Sequence, residues 1–267
     1  MKKFLKILEI VVWALLSGGL LFLLGFSYVE HDSVICREYS IDIDYGDADM
    51  LVTREDIYNI VKQSGHVLKG QPVSYIHAEK IESSIRKQPY VARANVFVTI
   101  DGKTEIHVVQ RQPILRIFNQ KGESYYLDGT GHLLPLNPDF SARVLVANGY
   151  IPESYSKTVN YLQDTVRMKD SIQFNSVMNN LFTLSLFIMK DPFLKALIDE
   201  VYVEKNGEFE LIPKVGNQLI LLGTTENLKD KFDRLLVFYR HGLNITGWNK
   251  YNIINIKYKN QVVCSKI

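Results

Sequence analysis

The chain has 267 residues, 46% of them hydrophobic and 22% charged, with a formal net charge of +2. These figures describe a folded protein of one or two domains. They exclude a disordered tail, a collagen-like repeat and a small disulfide-stapled scaffold.

The average hides an uneven start. Ile10 to Val29 runs for twenty residues without a charge, bounded by Glu9 and Glu30. At about 1.5 Å per residue this segment spans roughly 30 Å, the hydrocarbon thickness of a bilayer. Lys2, Lys3 and Lys6 precede it, and Glu30, His31 and Asp32 follow it. The positive-inside bias predicts a cytoplasmic N-terminus, with everything after Val29 on the other side. The competing reading is a cleaved signal peptide, whose apolar region is about 7–15 residues and ends in an A-x-A-like site. The nearest match, Gly25-Phe26-Ser27, is poor and falls inside the apolar run. The length predicts an uncleaved signal anchor: a tail over 1–9 and a transmembrane helix over 10–29.

Three of the 31 basic residues and one of the 29 acidic residues lie in 1–29, leaving 28 of each sign beyond the span. A neutral exterior carries no electrostatic footprint for nucleic acid. Cys36 and Cys264 stand near opposite ends of that exterior in apolar, strand-like stretches. The expectation is two buried free thiols, since unpaired Cys behaves as a small hydrophobe.

Residues 36–44 alternate as a strand. Thr53, followed by Glu55 and Asp56, predicts a helix N-cap with acidic residues in the first turn. Ile57, Ile60 and Val61 continue that helix and Gly65 ends it. A second helix is expected from about His77 to Lys87, stopped by Pro89. Asp101-Gly102 between two β-rich runs signals a hairpin. A two-residue loop there puts Phe97, Thr99, Thr104, Ile106 and Val108 on one face, and Val96, Val98, Ile100, Lys103, Glu105 and His107 on the other. The order so far is β-α-α-β-β.

After Pro113 the texture changes to short strands at Ile114–Asn119, Glu123–Leu127, His132–Leu136 and Arg143–Ala147. Residues 150–170 read as a surface loop, and a helix is expected over Gln173–Met189. Strands follow at Glu200–Lys205, Glu208–Pro213 and Gln218–Leu222. A last helix after Thr225 carries the stripe Leu228, Phe232, Leu235, Leu236 and Tyr239. Strands at Tyr251–Tyr258 and Gln261–Cys264 close the chain. The fold class predicted is α+β: one transmembrane helix, a β-α-α-β-β unit, and a mixed, mostly-β domain with at least two helices.

Signatures of chemistry are sparse. The six histidines show no H-x-x-x-H spacing and no cysteine at metal-ligand spacing. There is no G-x-S-x-G elbow. Gly65 to Gly70 lacks the Lys-Ser/Thr pair of a phosphate loop, Gln71-Pro72 standing in its place. Gly129-Thr130-Gly131 reads as a hairpin turn, and Asp42 with Asp44 as a solvated strand face. No catalytic residue, cofactor or metal is predicted. Asn244-Ile245-Thr246 is an N-glycosylation sequon. Asp32-Ser33-Val34, Asp164-Thr165-Val166 and Asp170-Ser171-Ile172 resemble bacterial O-glycosylation acceptors.

The order of elements, with several motifs, resembles the bacterial cell-division family FtsQ, called DivIB in some lineages. Pro89-Tyr90-Val91 leads into the hairpin, and Gln110-Arg111-Gln112-Pro113 is similar to the family's run ending in E-R-x-P. Tyr126 through Leu134 resembles its apolar-D-x-x-G-x-apolar turn, here Asp128-Gly129-Thr130-Gly131-His132. Val201-Tyr202, Glu208 to Leu211 and Leu221-Leu222-Gly223 follow its next pattern, and Ile254-Asn255-Ile256-Lys257-Tyr258 resembles I-D-L-R-Y. The chain departs from the pattern at Gln110, Asn255 and Lys257, where the family has Glu, Asp and Arg. Its tail before the span is short, and little follows the last strand.

The resemblance implies a non-enzymatic, single-pass inner-membrane scaffold of the divisome, with its bulk periplasmic and enriched at the septum. It implies a POTRA domain over 30–112 and a partner-binding β domain over 113–267. Its partners would be small single-span coiled-coil proteins of the FtsB and FtsL type, through which it helps control septal peptidoglycan synthesis. The implied mechanism is strand addition to an exposed sheet edge. The family's docking edge at the last strand maps onto Tyr258, Asn260, Val262 and Val263. Val262 and Val263 suit either a covered edge or the core side of that strand. Two other classes stand beside this one: a POTRA-bearing export or outer-membrane assembly factor, and a membrane-anchored periplasmic enzyme. The first usually carries POTRA units in series before a transmembrane barrel. The second needs a nucleophile or metal constellation.

Overall fold

A computed structural model describes residues 11–22, 34–65, 67–156, 176–248 and 250–266. Residues 11–22 are helical (α1). Among the described residues no helix is long and apolar enough to cross a membrane. The expected span over 10–29 extends beyond them at both ends, and the anchor remains an expectation. Also outside the described residues lie His31, His66, the Asp32-Ser33, Asp164-Thr165-Val166 and Asp170-Ser171-Ile172 tripeptide positions, and the 157–170 part of the expected loop. The rest divides into two units, one formed by residues up to Asp44 and Val52–Gln110, the other by Tyr45–Leu51 and Arg111–Ile267.

The first unit begins with β1 (Glu38–Asp44) and helix α2 (Arg54–Gln63). Thr53 and Asp56 form a reciprocal capping box, the Thr53 hydroxyl accepting from the Asp56 N–H at 3.1 Å and the Asp56 carboxylate from the Thr53 N–H at 2.8 Å. Helix α3 (Ala78–Ile85), β2 (Val91–Val98) and β3 (Lys103–Gln110) complete the expected order. The sheet runs β1-β3-β2, with β1 parallel and β2 antiparallel to β3. Ile57 and Val61 from α2, with Ile81 and Ile85 from α3, pack on one sheet face against Ala94, Val96, Ile106 and Val108. Gln110, where the family has Glu, is buried and accepts from the Val52 N–H at 3.2 Å. A neutral amide suits that site, because a buried carboxylate would lose its hydration.

The hairpin register differs from the two-residue expectation. Val96 pairs with Ile106 and Phe97 with Glu105. The Thr99 N–H donates to Lys103 O at 2.9 Å, and Gly102 N–H to Thr99 O at 3.1 Å. The loop is therefore Ile100-Asp101-Gly102, a turn closed by Gly102 at φ +85°. One extra loop residue reverses which β2 side chains face which on β3. Val96 joins the core with Thr104, Ile106 and Val108, while Phe97 is 53% exposed on the open face.

The second unit is built on a nine-stranded sheet in the order β12-β11-β10-β9-β8-β7-β4-β5-β6. Its strands are β4 (Pro113–Phe118), β5 (Ser124–Asp128), β6 (Leu133–Leu134), β7 (Leu145–Gly149), β8 (Ile198–Val203), β9 (Phe209–Pro213), β10 (Leu219–Gly223), β11 (Ile253–Asn255) and β12 (Val263–Ser265). Helix α4 (Val177–Lys190) starts at Ser176 and leads into α5 (Pro192–Leu197), which was not expected. Helix α6 (Leu228–Val237) continues through a π-turn at Phe238–Gly242 into α7 (Leu243–Thr246), where the sequon lies. The parallel pairs β7/β8 and β10/β11 are joined through α4–α5 and α6–α7, the crossovers that parallel strands require. Met178, Leu181, Leu184, Phe232 and Leu235 pack on one sheet face against Leu115, Leu127, Val201, Leu211, Ile220 and Ile254. Cys36 and Cys264 are both free; Cys36 is buried as expected, but Cys264 is only half-buried, because among the described residues no strand pairs with the far side of the edge strand that carries it.

Candidate functional site

Nine strands leave two sheet ends. At one, β6 has two residues, both buried. At the other lies β12, and the polypeptide from β11 onward shows how that edge is made. Ile254 and Ile256 are fully buried toward the helices. The Asn255 side chain accepts from the Lys257 N–H at 3.0 Å, turning the chain out of β11. Asn260 then takes φ +60°, a left-handed conformation that Asn tolerates better than most residues. The chain returns as β12, with Val263 opposite Asn255 and Cys264 opposite Ile254.

The structure thus separates the four expected docking residues. Tyr258 and Asn260 lie in the turn ahead of the edge strand. Val262 is half-buried against the core, as is Cys264, whose thiol burial pushes up. Val263 lies on the edge strand and points the other way, 40% exposed, and Tyr258 is 52% exposed. Val262 thus stands on the core side and Val263 on the open edge.

Two long cations hold this turn. From α6, the Arg234 guanidinium donates through Nη2 to Ile256 O at 3.2 Å and Tyr258 O at 3.0 Å. From the sheet side, Lys257 Nζ donates to the Glu208 carboxylate next to β9. It passes β10 at Gly223, where an added Cβ would stand 3.1 Å from Lys257 Cγ. The hydrogen bond from Lys257 holds the Glu208 carboxyl below the usual carboxylate range, against an opposing effect of burial. Lys231 is buried beside this group, donates to Thr224 O at 2.8 Å and has its pKa pushed down by burial. Sequence reasoning missed Arg234, Glu208 and Gly223 as parts of the site. Only Gly223 left a signal, as a glycine closing a strand.

Beside β12 an open groove of about 460 Å³ runs between α6, the π-turn and the turn of Asn260–Val262. Val237, Phe238 and Val262 give it an apolar lining, with Asp233, Arg234 and His241 at its side. The π-turn sets this wall: Gly242 packs so tightly on Phe238 that an added Cβ would meet the ring at 2.6 Å.

The resembling motifs also meet elsewhere in this unit. Arg111 Nη1 donates to Asp128 Oδ2 at 2.9 Å, while Asp128 Oδ1 accepts from the backbone N–H of Thr130 at 2.9 Å and of His132 at 2.8 Å. His132 has its pKa pushed down by burial and by Arg111, with Asp128 opposing. Among the described residues no group of three His, Cys, Asp or Glu is arranged to hold a metal ion. His107 stands on the open face of the first unit's sheet, 3.7 Å from Asp42 and 3.5 Å from Glu105.

A three-stranded sheet with two helices on one face, followed by a large mixed sheet with an uncovered end strand, defines a POTRA-plus-β-domain architecture. Comparison with known families agrees. A POTRA-like domain matches residues 34–109, and the family described as FtsQ/DivIB, C-terminal related, matches residues 112–265. The second match alone covers more than half of the chain, and the protein belongs to that FtsQ/DivIB-related family. No curated protein matches it.

Proposed function

We propose that this protein is a non-enzymatic scaffold of bacterial cell division, anchored by one helix over residues 10–29. In this reading the N-terminus is cytoplasmic, and the bulk of the chain is periplasmic and enriched at the septum. Residues 30–112 form the POTRA domain and 113–267 the partner-binding β domain. The partner is a small single-span coiled-coil protein of the FtsB or FtsL type, which contributes a strand to β12. Through it the scaffold helps control septal peptidoglycan synthesis.

The observation that supports this reading is the state of β12: an end strand that, among the described residues, has no strand on its far side, with a half-exposed valine at its start. An uncovered edge offers backbone donors and acceptors that a partner strand satisfies. Alternation along β12 adds a requirement on that partner. Side chains on its groove side meet Val262, Val237 and Phe238, so they are apolar, while those on the other side meet Val263 and Tyr258.

The test is an N-terminally tagged fluorescent copy in dividing cells, carrying the natural sequence or Val263→Asp. A septal band for the natural sequence, with loss of the co-purified partner in the variant, is the expected result. Uniform envelope staining by a copy that sustains growth would contradict the division role.

A further inference from the structure

The first unit also ends in an edge strand, and its edge is treated differently. β2 is eight residues long and, among the described residues, pairs only with β3. In an antiparallel pair, alternate residues turn both backbone groups away from the neighbour. On β2 these include Ala94 and Val96, and each has one of its two outward groups occupied by a side chain from α3 or its C-cap. Glu82 Oε1 accepts from the Val96 N–H at 2.9 Å, and Arg86 Nη1 donates to Ala94 O at 3.3 Å. Glu82 and Arg86 are also bonded to each other at 3.3 Å, one helical turn apart.

We infer that Glu82 and Arg86 form an edge guard whose function is to keep β2 from pairing with β2 of a second copy of this chain. The register of such pairing follows from symmetry. A dyad at Asn95 sets Ala94 opposite Val96 of the second copy, so the Val96 N–H would donate to the other chain's Ala94 carbonyl. The donor held by Glu82 and the acceptor held by Arg86 are therefore each other's partners in the dimer. The same register brings exposed Arg93 against exposed Phe97 of the second copy, a favourable cation–π pair on the open face. The eight-residue strand carries one charge, Arg93, and the guard supplies the protection that charged side chains give other edges. This inference does not depend on what docks at β12.

The test uses the full chain in detergent micelles, with Asn95→Cys as reporter and Cys264→Ser to remove the half-buried thiol. Cysteines facing each other at the dyad would have Cα atoms about 4.5 Å apart, within disulfide range. With Glu82 and Arg86 intact, oxidation is expected to give no disulfide-linked dimer above background. With Glu82→Ala and Arg86→Ala together, the dimer should rise about tenfold or more, the scale of losing charge-assisted hydrogen bonds. Slow amide exchange at Val108 in that variant shows that the sheet persists. Should it not persist, Arg86→Met, which keeps an apolar stem and frees the Ala94 carbonyl, decides in its place. Equal yields with and without the guard, or no dimer from a guard-free chain with a protected Val108 amide, would overturn the inference.

Discussion

Arg234 on α6 reaches the carbonyl of Tyr258 at 3.0 Å, and through it the helix layer sets the position of the sheet's open edge. The second bond, to Ile256 O, means that one guanidinium holds both ends of the Lys257 peptide segment. Replacing Arg234 by Gln shortens the donor and removes the charge. Partner affinity should fall about tenfold or more, on the scale of one or two hydrogen bonds from a charged group. Arg234→Lys, able to reach one carbonyl, should lose less. Titration of the purified full chain against its partner, with thermal melts of both variants, separates a shifted edge from an unfolded one.

Gly223 predicts a second dependence. It sits at φ +74°, and its missing side chain leaves the path by which Lys257 crosses to Glu208. Gly223→Ala therefore meets both backbone strain and Lys257, and should cost more than about 1 kcal/mol. Lys257→Met should relieve the steric part in the double variant, but not the strain. Urea unfolding of the two single variants and the double variant measures that coupling.

Asp128 should be among the least replaceable polar residues. Its side chain is 2% exposed and bonded to Arg111, Thr130 and His132. Asp128→Ala leaves a largely buried guanidinium without its carboxylate, which costs about 3–5 kcal/mol when a buried pair is broken on one side. The expected result is a large drop in the denaturation midpoint of the chain.

Acid should loosen the docking turn. The carboxyl of Glu208 is held below its ordinary value of 4.5 by the bond from Lys257. A depressed folded-state pKa contributes stability that is complete above the unfolded value and lost as pH falls through the folded one. Partner affinity should therefore be level at neutral pH and decline below about 4.5, and Glu208→Gln should flatten part of that decline.

Alkali acts through another residue. Burial pushes the Tyr239 hydroxyl up to about 12 from 10.0. Between those values the unfolded chain loses this proton and the folded chain keeps it, so folding stability declines as pH rises. Tyr239→Phe should remove that component. Trp248, edge-on to Tyr239 at 5.9 Å, supplies the fluorescence signal for the titration.

Much of the fold was legible because its signals are local. The Thr53 capping box, the α6 stripe and the hairpin dipeptide each act within a few residues. Asp191-Pro192 is a signal of the same kind for α5: the Asp191 side chain accepts from Phe193 and Leu194, and proline opens the helix. The order of the nine strands was not legible, since β7 pairs with β4 and β8 across long loops or helices that local periodicity does not describe. The hairpin register turned on a single residue, Ile100, joining the loop. At the β12 edge, resemblance pointed to the end of the chain but did not show how its residues divide between turn, core and edge. That Tyr258 lies in a turn, Val262 faces inward and Val263 outward depends on Asn260 and on Arg234, which is more than twenty positions away.

The most direct test of strand addition at β12 is amide hydrogen exchange on the full chain, with and without the proposed FtsB- or FtsL-type partner from the same organism. The account predicts that the Cys264 amide, which alternation in the β11/β12 pair turns toward the open edge, exchanges slowly only when the partner is bound, while the already paired amides of β8 and β9 change little. Tight binding that leaves exchange at Cys264 unaltered would contradict it.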